Sequence, residues 1–188
     1  VSEGPCEAQN LTAADDFLQR WRIPNPSMEQ RFLLCRSLAL GLGKLHRAGA
    51  IYGNLSLSEF LYRLDPTPSV MFHNPLQVRL RGSLSSFSGS THASDWEPPE
   101  ALAASKSGNR VGYETVNLDT DRYKLGLAIL RVLIAPAFPS GSSAERDPSL
   151  AEGLVPDDIY RLLSQCLLDN PHARPTAKDW YLVLDRYV

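Results

Sequence analysis

The stretch "DTDRYKLGLAILRVLIA", Asp119 to Ala135, constrains the fold of this chain more than any other. After Arg122 it is apolar on almost every side. A helix of that kind has no face to give to water, so it belongs at the centre of a helical domain, covered all round by other elements. Pro136 ends it, because proline offers no N–H to the next turn. The chain must therefore supply helices that wrap this one. With 188 residues, 43% of them hydrophobic and 21% charged, it has enough apolar surface to do so.

The wrapping helices are readable from caps and periodicity. Ser27 and Gln30 have the spacing of a capping box, opening a helix over 27–48. Leu34, Leu38, Leu42 and Leu45 fall on one face of it, and Gly49 terminates it. A helix over 156–169 is amphipathic, with acids at its start. Thr176, with Asp179 three residues on, caps a last helix that turns Trp180, Val183, Leu184 and Tyr187 inward. Thr12 is expected to cap a short helix over 13–21, which "RIPNP" breaks. Between residues 50 and 82 the pattern changes. "AIY", "FLYRL" and "QVRLRG" read as short strands, and "DPTPSVMFHNP" reads as a loop. Residues 83–95 are Ser-rich and 139–153 polar, both expected as surface loops. "WEPPEALAAS" starts a short helix. The fold class is mainly α with a small β insert around one central buried helix.

Composition excludes several functions. A formal net charge of -2 gives no drive toward nucleic acid or an anionic membrane. No apolar run is long enough to span a bilayer. Cys6, Cys35 and Cys166 are odd in number and not at metal-ligand spacing, so they read as free thiols. His46, His73, His92 and His172 are scattered, and no metal or cofactor set is visible. The sequons at Asn10 and Asn54 read as chance matches. "VSEGPCEAQN" lacks the charged and apolar regions of a secretory signal, and the expected location is the cytoplasm.

Three segments, in order, carry a resemblance. "LALGLGKLHRAGAIYGNLSLSEFLY" follows a long helix ending in Leu-His with a loop and strand. "WEPPEAL" is followed by "DTDRYKLGLAIL". "LLSQCLLDNPHARPTAKDW" precedes the last helix. Together they resemble the C-terminal lobe of the eukaryotic-type protein kinases over residues 26–187. The third segment is the most specific. "EPPE" with "LGLAILRVL" is also similar to secreted parasite pseudokinases, and "DRYKLGLAIL" to divergent bacterial kinase-like proteins. The first of these similarities would make a secreted effector the alternative to a cytoplasmic protein.

The resemblance implies two regions. Residues 1–25 form an N-terminal segment with a short helix, and 26–188 form a kinase-like C-lobe. Within that lobe, 50–64 correspond to the catalytic loop and 82–100 to the activation loop. The nucleotide-clamping N-lobe is expected to be missing from this chain, since residues 1–25 hold neither a Gly-rich loop nor a Lys. Glu100 and Arg174 fall on the ion pair that braces the lobe. Asp121 falls on the central-helix Asp that holds the catalytic-loop backbone, and Gly126 on the glycine of that helix.

The chemistry is expected to be lost. Phosphoryl transfer needs a positioned base, metal ligands and a phosphate-binding Lys. The base position is Asn54, which cannot accept a proton as a carboxylate does. Gly53 stands where an Arg is usual, and Ser56 where the Lys is usual. Glu59 replaces one metal ligand, and a single carboxylate is a poor Mg²⁺ site. Gly82 replaces the other, with Arg79 and Arg81 beside it as outward residues of the strand. His46–Arg47 lies in the preceding helix and is no displaced catalytic triplet. The implied function is a catalytically inactive domain serving as a protein-binding scaffold or allosteric regulator. The partner expected is another protein, such as an active kinase or its substrate. The alternative is an enzyme with rearranged chemistry at Glu59 and Arg81. The expected partner surfaces are the two polar loops and a cleft at Tyr52, Asn54, Glu59 and Arg81.

Overall fold

In the computed structural model, which describes residues 4–73, 78–80, 94–106, 116–168 and 170–188, one helix organises the rest. The described helices are α1 (Asp15–Arg20), α2 (Met28–Arg47), α3 (Pro99–Lys106), α4 (Leu118–Ile134), α5 (Asp157–Leu167) and α6 (Ala177–Leu184). The described strands are short: β1 (Cys6–Glu7), β2 (Ala50–Ile51), β3 (Phe60–Arg63), β4 (Ser69–Phe72) and β5 (Arg79–Leu80). The molecule is mainly helical with a small β part.

Every residue of α4 from Tyr123 to Ile134 is buried. Helix α2 packs on α4 and α6, and α5 packs on α4 from another side. The expectation of an all-round buried helix holds, with one amendment. Lys124 and Arg131 are buried too, and each is paired. Helix α4 begins on Asn117, whose Oδ1 accepts the N–H groups of Asp119 and Thr120 at 2.8 and 3.0 Å. The expected boxes at Ser27/Gln30 and Thr176/Asp179 both form, each satisfying first-turn N–H groups that would otherwise lack a partner. Gly49 ends α2 region with φ +78°, the left-handed conformation that favours glycine.

Four expectations of local structure need correction. Thr12 caps no helix: α1 starts after Ala14, and the Thr12 hydroxyl donates to the Gln9 carbonyl instead. The stretch read as a loop over 65–75 contains β4, because Ser69–Phe72 pairs antiparallel with β3, Phe60 opposite Phe72 and Tyr62 opposite Val70. Tyr187 does not turn inward. It is 37% exposed, and its hydroxyl donates to Asp158. Residues 139–153 are also more ordered than a loop, with 3-10 turns at Gly141–Ala144 and Pro148–Ala151.

The sheets tie the N-terminal residues to the rest. β1 pairs with the free edge of β3, giving the order β1–β3–β4, and β2 pairs with β5. Ala8 and Leu11 belong to the same buried cluster as α4. Arg31 of α2 fixes this junction. Its guanidinium donates to Leu11 O and Val132 O, both at 2.8 Å, and to Pro26 O at 3.2 Å.

Candidate functional site

The loop between β2 and β3 runs from Tyr52 to Glu59 and sits against the first turn of α4. Asp121, on that turn, is fully buried. Its carboxylate accepts from the Tyr52 N–H and the Gly53 N–H, both at 2.7 Å. The ring N–H of His46, in the last turn of α2, donates to the same carboxylate at 2.9 Å. Three donors on one buried carboxylate compensate its lost hydration. Gly53 has φ +78°, a conformation that costs a side-chain-bearing residue and lets two successive N–H groups converge on one acceptor.

The other side of Gly53 is held as well. Lys124 Nζ, on α4, donates to Gly53 O at 3.0 Å and pairs with Glu97 Oε1 at 3.0 Å. Burial pulls the Lys124 ammonium below its ordinary pKa, and the Glu97 carboxylate opposes that pull. One turn of α4 thus grips both the N–H and the carbonyl of the same residue, Gly53.

The side chains of the loop turn inward. Tyr52 is fully buried, and its hydroxyl reaches Glu59 O at 3.4 Å. Burial, reinforced by the nearby Glu59 and Asp121 charges, pushes its phenol above the ordinary range. Asn54 is half-buried and donates from Nδ2 to Glu59 Oε1 at 3.2 Å. Glu59 itself is buried. Ser56 is buried, with its hydroxyl 2.8 Å from that of Ser58. The expected cleft at Tyr52, Asn54, Glu59 and Arg81 is therefore corrected. Tyr52 and Glu59 are buried, Tyr52 with its backbone N–H held on Asp121 and Glu59 accepting from Asn54, so neither lines an open cleft. Arg81 and Gly82 lie outside the described residues, as does Ser-rich 83–93. Arg79 is half-buried, not outward, and it is Leu80 that stands in solvent.

Glu100 and Arg174 meet as a two-pronged pair, with oxygens 2.6 and 2.9 Å from the guanidinium nitrogens. Arg174 also donates to Asp119 O at 3.0 Å and stacks on the Tyr123 ring at 4.9 Å. The pair is buried at one end only: the Arg174 side chain is 2% exposed and that of Glu100 37%. Burial pushes the Glu100 carboxyl up, but its bonds to Arg174 and its own backbone outweigh that and hold it below its ordinary value. Gly126 faces α5, and a methyl there would run into the Cys166 sulfur.

Sequence reading missed the buried cations. Arg131 pairs with Asp95 at 3.0 Å, donates to Glu145 O at 3.0 Å and lies 4.3 Å over the Trp96 ring. Lys124 and Arg131 are seven residues apart, two turns along one face of α4. That spacing was a readable signal that one stripe of the helix meets acids.

What the arrangement can do chemically is limited. Cys35 and Cys166 are fully buried, and burial pushes both thiols up to about 12, so neither is a nucleophile at neutral pH. Among the described residues no three His, Cys, Asp or Glu side chains converge on a possible metal position. No described helix is long and apolar enough to cross a membrane. His172 is exposed and lies 2.9 Å from Asp119. A cavity of about 470 Å³ opens away from the loop, between α2 and α6. A smaller one of about 270 Å³ lies beside Ile51, Asn117 and Asp119. No protein-family model matches the chain, and no curated protein matches it either.

Proposed function

We propose that the chain is a kinase-like C-lobe without kinase chemistry, serving as a protein-binding scaffold or allosteric regulator. The observation that carries this reading is the fate of the loop at 52–59. Asp121 and Lys124 hold its backbone as a catalytic loop would have to be held, yet its side chains are spent on one another. The base position, Asn54, is an amide that donates to Glu59. Glu59, the one carboxylate able to take a metal, is buried inside the loop. The braces Glu100–Arg174 and Gly126–Cys166 support the same reading, because they are architectural and need no substrate.

Protein binding is favoured over enzymatic action because no described carboxylate, thiol or histidine of the loop meets solvent in a catalytic arrangement. The ordered turns over 139–153 offer an exposed surface near Phe138 and Leu154. The full-length protein tests the reading with ATP and Mg²⁺ or Mn²⁺. Neither phosphoryl transfer nor a change in Tm is expected. A nucleotide-dependent rise in Tm that Glu59→Gln abolishes would establish the rearranged enzyme instead.

A further inference from the structure

The cavity of about 470 Å³ between α2 and α6 has chemically one-sided walls. Its floor is made of small residues. Ala39 and Gly43 stand one turn apart on α2, facing Ala177 of α6. A Cβ at position 43 would lie only 3.6 Å from that of Ala177. Small residues let the two helices approach closely below, and the larger side chains splay above them. Leu40 and Leu182 form the walls, and they are 37% and 48% exposed. Both leucines keep apolar surface open to a ligand at the mouth of the cavity.

The rim is basic. Arg47 and Lys178 are exposed, neither has an ion-pair partner among the described residues, and Arg122 completes the ring. No acid lines the cavity. Two lining residues are already matched to acids, Arg122 to Asp119 and His46 to Asp121, so the unpaired positive charge of the rim is that of Arg47 and Lys178. This is a local positive lip on a chain whose net charge is -2. The volume falls within the range of about 300–1,000 Å³ usual for small-molecule sites.

The geometry points to a binding site for a small amphipathic anion, a carboxylate or phosphate head on an apolar body. The body lies on Ala39, Gly43 and Ala177 between Leu40 and Leu182. The head meets Arg47 and Lys178. Charge complementarity selects the sign of the ligand, and the cavity size selects a small molecule over a folded partner. The site does not rest on the kinase-like reading and stands or falls apart from it.

Calorimetric titration of the whole chain with decyl phosphate, decanoate, decanol and inorganic phosphate tests the site. Decyl phosphate is expected to bind saturably at one site, with decanol and inorganic phosphate at least tenfold weaker. Decanoate equal to decyl phosphate means that charge alone is read, and a weaker decanoate means that phosphate is read. Both support the site. Arg47→Glu with Lys178→Glu is expected to weaken decyl phosphate at least tenfold at unchanged Tm, since both side chains are exposed. Leu40→Asp is expected to do the same from the apolar side. Unsaturable binding, decanol as tight as decyl phosphate, or affinity untouched in both variants would overturn the proposal.

Discussion

Gly126 has no room for a methyl group. Helix α5 brings the Cys166 sulfur against its Cα, and Trp180 of α6 closes the same spot. Gly126→Ala must push α5 off α4 or force Cys166 off its rotamer. Overpacking of that kind costs about 1–3 kcal/mol. The urea midpoint should fall accordingly, with unchanged far-UV circular dichroism, and an unchanged midpoint would show that α5 slides freely. Gly53 is constrained differently, by its backbone: φ is positive and Asp121 and Lys124 hold both its polar groups. At the residue scale the sequence was partly legible. Asp121, Gly126 and the Glu100–Arg174 pair were singled out only through the resemblance carried by three ordered segments, not from residue type or spacing. The inward turn of Tyr52 and Glu59 was not legible. Whether a loop side chain faces solvent depends on how the loop sits on the helix beneath it, and here Asp121 holds its backbone.

Helices in this chain begin where a side chain meets the first-turn N–H groups. Ser27, Asn117 and Thr176 each do this with a reciprocal partner three residues on. For α6 the cap has an extra consequence. The helix is eight residues long, short enough to be marginal without its cap and its buried Trp180 and Leu184. Thr176→Ala should cost about 1 kcal/mol of stability. Because α6 forms one wall of the basic-lipped cavity, hydrogen exchange should also quicken first in residues 177–184. Uniform quickening across the chain would show that the cap acts globally. The caps at Ser27 and Thr176 were legible because they are local, needing only residues three apart; Asn117 was not named, and Thr12 was misread. Strand β4 was not legible. Its sequence, Ser-Val-Met-Phe, is too short for period-two alternation to stand out after a proline-rich turn, and pairing with β3 is what makes it a strand.

At the scale of the whole molecule, α4 is a spine on which separate segments are pinned by buried cations. Lys124 reaches the loop at 53 and Glu97, Arg131 reaches Asp95 and Glu145, and Arg174 ties Glu100 to the α4 start. The Glu100 tie has a pH signature. Its carboxyl sits below the ordinary 4.5 in the folded chain, so the tie stabilises fully above that value and is lost as pH falls through the lowered one. The Tm of the native chain should therefore drop on acidification in that window. Glu100→Gln should start from a lower Tm at neutral pH and lose less of it in acid. Parallel acid profiles would show that Arg174 holds no charged partner in solution. The sequence by itself determined the spine, since a helix apolar on nearly all sides can only be central, and the caps at Ser27 and Thr176. Only the tertiary structure decided which cations the core admits, where the loop side chains turn and where a cavity opens. Those depend on partners 27 to 101 residues away along the chain, as Lys124–Glu97 and Arg31–Val132 show, and no local pattern encodes such distances.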